Sequence, residues 1–291
     1  MASHADARFN RGRWLLRIED LDPPRESKVA ATTFPVVLDR YGFEWDGPIL
    51  YQSTRGDAYA AALETLVDRG LAFECSCTRS DLADAPIGVG GDRIYPGTCR
   101  DGTPADRRAR QPRRSWRLRV DDIAIAFVDR IQGRQRQQLA SEVGDFVIRR
   151  ADGYWAYQLA VVVDDRAQGI TDIVRGADLL ASTPRQILLQ RHLGAIEPRY
   201  AHVPVAVNQS GEKLSKQTLA APLPATDPVP MLLAAWRFLG QAEPEAMPAN
   251  AREFWSWAFA RWNIGGVDPR PRSAPNPAID PVTDSATNPP T

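Results

Sequence analysis

Two lysines in one loop are the residues whose type and position point most directly to chemistry. Only three of the 36 basic residues are lysines, and Lys213 and Lys216 share the segment Lys-Leu-Ser-Lys-Gln, just after Gly211. A compact ammonium group suits a polyphosphate, on which negative charge develops as a bond to phosphorus breaks. The segment therefore indicates a phosphate-binding loop. A solvated loop with the same spacing is the alternative.

A second candidate follows the first predicted strand, residues 13–18. The segment Arg17-Ile-Glu-Asp-Leu-Asp22 places Glu19 at the carboxyl end of that strand, where open α/β sheets bind ligands. A carboxylate there would suit a cationic group such as an α-amine. Turn formation and helix capping account for Asp20 and Asp22, and the same roles are the alternative for Glu19.

Tyr157 and Arg175 form a third candidate pair. We predict Tyr157 on the second strand of a hairpin over residues 145–163, and Arg175 at the end of a strand that begins at Ile170. An arginine can bind a carboxylate through two parallel hydrogen bonds. The alternative is a structural ion pair of Arg175 with a neighbouring acid, namely Asp164, Asp165 or Asp178.

The three cysteines, Cys75, Cys77 and Cys99, are close together in sequence. A Cys-x-Cys pair with a third thiol in the same region is typical of a tetrahedral zinc site. The histidines stand elsewhere, at positions 4, 192 and 202, so an oxygen of Tyr95 or Asp92 would be the fourth ligand. Three small buried thiols are the alternative, because free cysteine is usually buried.

The rest of the sequence predicts an α/β scaffold for these groups. The 291 residues are 43% hydrophobic and 25% charged, which is typical of a globular protein and excludes a disordered chain. The net charge of zero argues against a protein that coats nucleic acid. No apolar run is long enough for a membrane helix, and no secretory signal is present. With only three cysteines we expect a cytoplasmic protein.

Strand-like and helix-like segments alternate along the chain, which predicts an α/β fold. The predicted strands cover residues 13–18, 170–174 and 203–207. The predicted helices cover residues 26–41 with Pro35 inside, 54–69 capped by Ser53, 183–192, 228–239 and 250–262. From Pro269 onward the composition predicts a disordered tail.

Taken in order, the motifs closely resemble a glutamyl-tRNA synthetase-like class I catalytic domain over residues 8–240. The short glutamyl-queuosine tRNA(Asp) synthetase family, which lacks an anticodon-binding domain, is most similar. The segments that carry the resemblance are Arg17 to Glu26, Glu44-Trp-Asp-Gly-Pro, Tyr51-Gln-Ser-Thr-Arg55, Tyr157 to Asp165, Gly169 to Asp178, Thr183-Pro-Arg-Gln186 and Lys213-Leu-Ser-Lys-Gln217.

The resemblance implies a Rossmann-like parallel sheet with a zinc-containing insertion and a helical C-terminal part. Residues 1–70 and 151–225 would form the two halves of the catalytic core. Residues 71–150 would form the zinc-containing, acceptor-type subdomain, residues 226–267 the C-terminal helices, and residues 268–291 a disordered tail.

The resemblance also implies a reaction. Glutamate would attack the α-phosphate of ATP, with Mg²⁺, to give glutamyl-adenylate, and the glutamate would pass to the queuosine base in the anticodon stem-loop of tRNA(Asp). By resemblance, Lys213 and Lys216 act in catalysis and Lys216 contacts ATP, while Glu19, Tyr157 and Arg175 bind L-glutamate. Cys75, Cys77, Tyr95 and Cys99 would hold one structural Zn²⁺. We expect a monomer.

One departure from the family pattern concerns the first strand and the histidine-bearing ATP loop, which this sequence does not show. His4 does not match that motif. We expect either a misplaced start codon or a decayed copy, and a chain that as written is inactive or poorly folded beside an active N-terminally extended version. The alternative functions are a catalytic fragment of a glutamyl-tRNA synthetase, or a non-catalytic paralogue that binds RNA or an amino acid.

Overall fold

A computed structural model of the chain describes residues 1–22, 28–111, 113–208, 211–214, 223–224 and 226–273. The helices are α1 (Ala2–Phe9), α2 (Lys28–Arg40), α3 (Gly56–Asp68), α4 (Ala105–Arg110), α5 (Leu139–Glu142), α6 (Tyr157–Gln168), α7 (Thr183–Leu193), α8 (Val229–Phe238) and α9 (Ala251–Phe259). The strands are β1 (Arg17–Ile18), β2 (Leu50–Tyr51), β3 (Ala72–Cys75), β4 (Ser115–Leu118), β5 (Ala124–Asp129), β6 (Gly133–Gln138), β7 (Phe146–Arg149), β8 (Asp172–Gly176), β9 (Arg199–Val203), β10 (Ala206–Val207) and β11 (Arg272–Ser273).

The strands form four sheets, and three of the sheets contain parallel pairs. β1 pairs with β2, and β10 with β11, each in parallel. A mixed sheet has the order β6-β5-β9-β8, in which β8 and β9 are parallel. The sheet β3-β4-β7 is antiparallel. The predicted α/β class with parallel pairing is confirmed.

Most of the predicted helices are present. α2 runs through Pro35 as predicted, and α7, α8 and α9 fall within one or two residues of their predicted starts. The predicted helix at residues 54–69 begins later, at Gly56, after a turn of 3₁₀-helix at Gln52–Thr54. Ser53 does not cap it, because its hydroxyl donates instead to Asp20 Oδ2 at 2.6 Å.

The predicted hairpin is wrong in its second half. A turn does follow β7, and Arg149 bridges Trp155, but the chain then enters α6 at Tyr157. A run such as Leu159–Val162 fits a buried strand or a buried helix equally well by pattern. The structure shows all four of these residues buried in the main hydrophobic core, where α6 packs against α3 and α7.

Asp164, on the inner face of α6, joins the helix to the segment around α3. Its side chain is fully buried and accepts hydrogen bonds from Gln52 Nε2 at 2.9 Å, Arg55 Nε at 3.0 Å and the Tyr59 hydroxyl at 2.6 Å. Burial, and then the Asp164 carboxylate, raise the pKa of Tyr59. Tyr59 therefore stays a hydroxyl donor to this carboxylate.

A second core joins residues from the two ends of the described chain. α1 packs against α9, and the ring of His4 lies 4.6 Å from that of Trp255 and 4.7 Å from that of Trp14. Burial lowers the pKa of His4 to about 3, so the ring is neutral near pH 7. His4 is thus a core residue of an aromatic cluster.

The predicted tail is wrong at its start. Arg272 and Ser273 form β11, which pairs with Ala206 and Val207 of β10. Residues 274–291 lie outside the described part of the chain. Among the residues described, none of the helices combines the length and the apolar character that a membrane crossing requires.

Candidate active site

A cavity of about 720 Å³ separates the β1-β2 pair from strand β8. Residues 14–17 line it on one side and residues 169–175 on the other, and within the described residues no strand joins the two sheets across it. Glu19, Tyr157 and Arg175 all line this cavity. The structure therefore brings together the three residues that the sequence assigns to glutamate.

Tyr157 reaches the cavity from the first turn of α6. The preceding residue, Ala156, is extended, so the chain changes direction there and the tyrosine begins the helix. Its hydroxyl lies 3.4 Å from Arg175 Nη1. Burial raises the pKa of Tyr157, so its hydroxyl remains protonated near pH 7 and can donate a hydrogen bond.

Arg175, in β8, is held by neutral partners. Its Nε donates to His202 Nε2 at 3.0 Å, and its Nη2 donates to Thr183 Oγ1 at 2.9 Å. Within the described residues it forms no ion pair, so the alternative of a structural pair with a neighbouring aspartate is wrong there. A guanidinium has five N–H groups. Three are directed at His202, Thr183 and Tyr157, which leaves two for a carboxylate.

His202 and Asp129 are site residues that the sequence reasoning missed. The His202 side chain is fully buried, and its Nδ1 lies 2.6 Å from Asp129 Oδ2. Because Nε2 accepts from Arg175, the ring proton belongs on Nδ1. Burial alone would raise the pKa of Asp129, but hydrogen bonds from His202 and backbone amides lower it to about 2. Asp129 is therefore an ionised anchor for the histidine.

Glu19 lies at the rim of the cavity beside another cation. Its side chain is 42% exposed and pairs with Arg17 Nη2 at 3.2 Å, while Arg17 Nη1 pairs with Asp165 at 2.7 Å. Asp165 thus neutralises much of the charge of Arg17. The Glu19 carboxylate remains available to a cationic group that enters the cavity.

The structure describes one of the two lysines of the predicted phosphate-binding loop. Lys213 Nζ pairs with Asp178 Oδ2 at 2.6 Å, and Asp178 directly precedes Leu179, which lines the cavity. Lys216 lies outside the described residues. Lys213 is therefore attached next to the cavity through Asp178.

The cysteines form a compact cluster away from this cavity. The Sγ atoms of Cys75, Cys77 and Cys99 all lie within 4.8 Å of one another, so the three could hold a metal ion. The Tyr95 hydroxyl is 3.4 Å from Cys75 Sγ and 3.7 Å from Cys77 Sγ. The cluster is built by the end of β3 and the loop after it.

These separations fit a tetrahedral zinc ion. Zinc–sulfur bonds of about 2.3 Å put two thiolates roughly 3.8 Å apart, and a zinc-bound oxygen roughly 3.5 Å from each. Cys77 Sγ and Cys99 Sγ are 3.7 Å apart. Asp92, the other candidate for the fourth ligand, pairs instead with Arg185 at 3.1 Å. Tyr95 is the oxygen that the geometry favours.

The thiols of Cys77 and Cys99 differ in acidity. Burial raises the pKa of Cys77 to about 12. For Cys99 burial acts in the same direction, but hydrogen bonds from the Ser76 backbone and from Tyr95 outweigh it and lower the pKa to about 7. A metal ion would have to displace the proton of Cys77, so we expect its affinity to rise with pH.

Comparisons with known proteins identify the family of the chain. Residues 1–225 match the family of class I tRNA synthetases (E and Q), catalytic domain. The chain is 54% identical over 270 residues to the glutamyl-Q tRNA(Asp) synthetase of Dechloromonas aromatica, which covers 92% of this chain and 88% of the relative. The corresponding protein of Aromatoleum aromaticum is 54% identical over 278 residues, covering 95% and 86%.

A solved structure supports the fold. The glutamate-tRNA synthetase of Elizabethkingia anophelis superposes with a TM-score of 0.73 at 22% identity, covering 92% of this chain. The chain spans 63% of that longer protein. The chain belongs to the class I tRNA synthetase family of the E and Q type, and within it to the glutamyl-Q tRNA(Asp) synthetases.

Proposed function

We propose that the protein activates glutamate with ATP and transfers it to the queuosine base in the anticodon stem-loop of tRNA(Asp). The observation that carries this proposal is the meeting of Glu19, Tyr157 and Arg175 on one cavity. The cavity offers a carboxylate for an ammonium group and a guanidinium for a carboxylate, which are the two ends of an amino acid with an acidic side chain.

Arg175 would bind the side-chain carboxylate of glutamate, and Tyr157 would help Glu19 to hold the amino-acid end. The two free N–H groups of Arg175 suit its two oxygens, and His202 fixes the orientation of the guanidinium. Glu19 would receive the α-ammonium group. This leaves the α-carboxylate of glutamate as the group that reacts.

Activation then needs alignment more than proton transfer. One oxygen of the α-carboxylate forms a bond to the α-phosphorus of ATP, the bond to the β-phosphate breaks, and pyrophosphate leaves with the electron pair. The carboxylate is already ionised near pH 7, so no general base is required. Lys213 and Lys216 would stabilise the charge that develops on the phosphates, together with Mg²⁺.

The cysteine cluster would hold one structural zinc ion. Cys75, Cys77, Cys99 and Tyr95 would be its four ligands, which leaves no open position for catalysis. The ion would fasten the end of β3 to the loop that carries Tyr95 and Cys99. Residues 71–150 would then act as the subdomain that contacts the RNA, in a monomeric, cytoplasmic protein.

Two half-reactions test the proposal. We expect glutamate-dependent exchange between ATP and pyrophosphate without tRNA. We also expect labelled glutamate on tRNA(Asp) that carries queuosine, and none on the same tRNA without it. Exchange followed by charging of the 3′ end of a glutamate tRNA would indicate a glutamyl-tRNA synthetase fragment instead. Absence of exchange would indicate a non-catalytic protein.

A further inference from the structure

A second cavity, of about 600 Å³, adjoins the N-terminus of α6. Tyr157 lines the first cavity, and the next residue, Gln158, lines the second. Gln158 is held in place by Ser182 at 3.1 Å and by Gln186 at 3.0 Å. The Cα atoms of consecutive residues are about 3.8 Å apart, so the linings of the two cavities meet at the first turn of α6.

The second cavity is strongly basic. Four arginines and two acids line it: Arg79, Arg93, Arg117, Arg185, Asp92 and Asp145. Asp145 accepts from Arg100 Nη1 and from the Val120 amide, both at 2.7 Å, so much of its charge is already neutralised by a group outside the lining. The lining therefore carries an excess of positive charge.

Two of these arginines are more than nine-tenths buried. Arg117 and Arg185 are each 7% exposed, and within the described residues the Nε atom of each has no hydrogen-bond partner. The acid beside Arg185 is Asp92, whose side chain is 75% exposed. Burial of a charge is costly unless a partner compensates it, and a solvated aspartate compensates little. Both guanidiniums are therefore short of anionic partners.

The surroundings hold these two arginines in place. The guanidinium of Arg117 lies 4.0 Å above the ring of Tyr95, and its Nη1 donates to the Asp145 carbonyl at 2.8 Å. The loop at Gly90, a residue in the left-handed region with a φ of 93°, also lies beside Arg185, and a Cβ added to Gly90 would be 3.5 Å from Nη2. Such a preformed cationic site suits a phosphate group.

We propose that this arginine-lined cavity binds a backbone phosphate of the RNA that receives glutamate, with Arg185 and Arg117 as its contacts. The inference rests on the proposed transfer to tRNA. The phosphates of ATP are the other source of this chemistry. The lysines assigned to them are Lys213 and Lys216, and Lys213 pairs with Asp178 beside the first cavity, so the two polyanionic substrates have separate cationic groups. A phosphate held next to Gln158 would bring the adjoining nucleoside to the glutamate cavity.

The decisive variant is Arg185→Gln. It removes a buried charge, and the acid that pairs with Arg185, Asp92, is mostly exposed. We expect it to raise the dissociation constant for the anticodon stem-loop of tRNA(Asp) by about 10- to 100-fold at low salt. We also expect the slope of log affinity against log salt to fall by about 0.7 to 0.9. Arg252→Gln, an exposed change on α9, is the matched control and should alter neither quantity.

A chemical change in the RNA tests the same contact in the unaltered protein. Single phosphates of the stem-loop can be replaced by neutral methylphosphonates. We expect one position at which the replacement weakens binding to the wild-type chain but does not weaken binding to Arg185→Gln any further. Unchanged affinity and salt slope in Arg185→Gln, with no such position, would overturn the proposal. A raised KM for ATP in the exchange reaction with intact RNA affinity would overturn it too, and assign the cavity to the nucleotide.

These binding measurements need no turnover. A wild-type chain that shows no glutamate-dependent exchange would contradict the proposed function, while the difference in RNA affinity between wild type and Arg185→Gln would still decide the role of the cavity.

Discussion

The polar groups on the two faces of α6 differ in how completely they are hydrogen-bonded. Toward α3, Asp164 is fully buried and accepts three hydrogen bonds from side chains around it. Toward the first cavity, Tyr157 meets Arg175, whose hydrogen bonds to His202 and Thr183 leave part of the guanidinium available. One helix thus carries a carboxylate whose two oxygens are both hydrogen-bonded and, on its other face, contacts a guanidinium that keeps free donors.

This difference distinguishes polar groups that stabilise the fold from polar groups that can bind a ligand. A buried carboxylate whose oxygens are already hydrogen-bonded gains nothing further from a small molecule, and its role is to fix the packing of the core. A network held rigidly but left with free donors at a cavity is ready to bind a complementary group. The following variants test that distinction.

The largest expected effect is the loss of stability in Asp164→Ala. Removing the carboxylate leaves Gln52, Arg55 and Tyr59 without their acceptor, and breaking a buried charge pair costs about 3 to 5 kcal/mol. We expect the free energy of unfolding in urea to fall by that amount, with the KM for glutamate of the folded protein unchanged. Asp68→Ala, at the exposed end of α3, is the control. A large rise in this KM would contradict a purely structural network.

Arg175→Ala should have the reverse profile. Loss of a charge-assisted, bidentate contact costs about 2 to 3 kcal/mol, which corresponds to a rise of the KM for glutamate of about 30- to 150-fold. Stability should fall less than in Asp164→Ala, because the partners of Arg175 are neutral. ATP–pyrophosphate exchange at varied glutamate measures the effect, and Arg252→Ala serves as the matched control. An unchanged glutamate dependence would remove Arg175 from the binding site.

Substitution of His202 should give a smaller effect with a diagnostic rescue. We expect His202→Ala to raise the KM for glutamate about 10-fold, because Arg175 loses the acceptor of its Nε–H group. His202→Gln places an oxygen near the position of Nε2 and should recover most of the affinity. If both variants lose stability equally and neither changes this KM, the histidine has only a structural role.

The smallest expected effect concerns His4, whose polar ring packs among aromatic side chains. Its pKa is about 3 in the folded state and about 6.5 when unfolded. Between these values the unfolded chain binds more protons, so stability falls as the pH decreases, by at most about 1.4 kcal/mol per pH unit. We expect His4→Leu to flatten this dependence in urea unfolding between pH 6.5 and 5. Parallel curves for both proteins would contradict the burial of a neutral ring.

The parts of the site that could be predicted from the sequence are short motifs at strand ends. Glu19 and Arg175 follow predicted strands, and both line the cavity; the cysteines and Tyr95 lie in one short region and do cluster. His202 and Asp129 were out of reach, because they are 73 residues apart and meet only when β9 lies beside β5. The helix at Tyr157 was missed because a buried apolar run has no diagnostic period.

The packing of α1 around His4 also has a consequence for folding during translation. Trp262 Nε1 donates to Asp6 Oδ1 at 3.0 Å, a contact between residues 256 positions apart. A ribosome that adds 5 to 20 residues per second needs about 13 to 50 s to bridge that distance. During this time α1 lacks the part of its packing that α9 supplies. The side of α1 that packs against α9 therefore stays uncovered for most of translation, and a chaperone that binds exposed apolar segments should crosslink to α1 until α9 emerges.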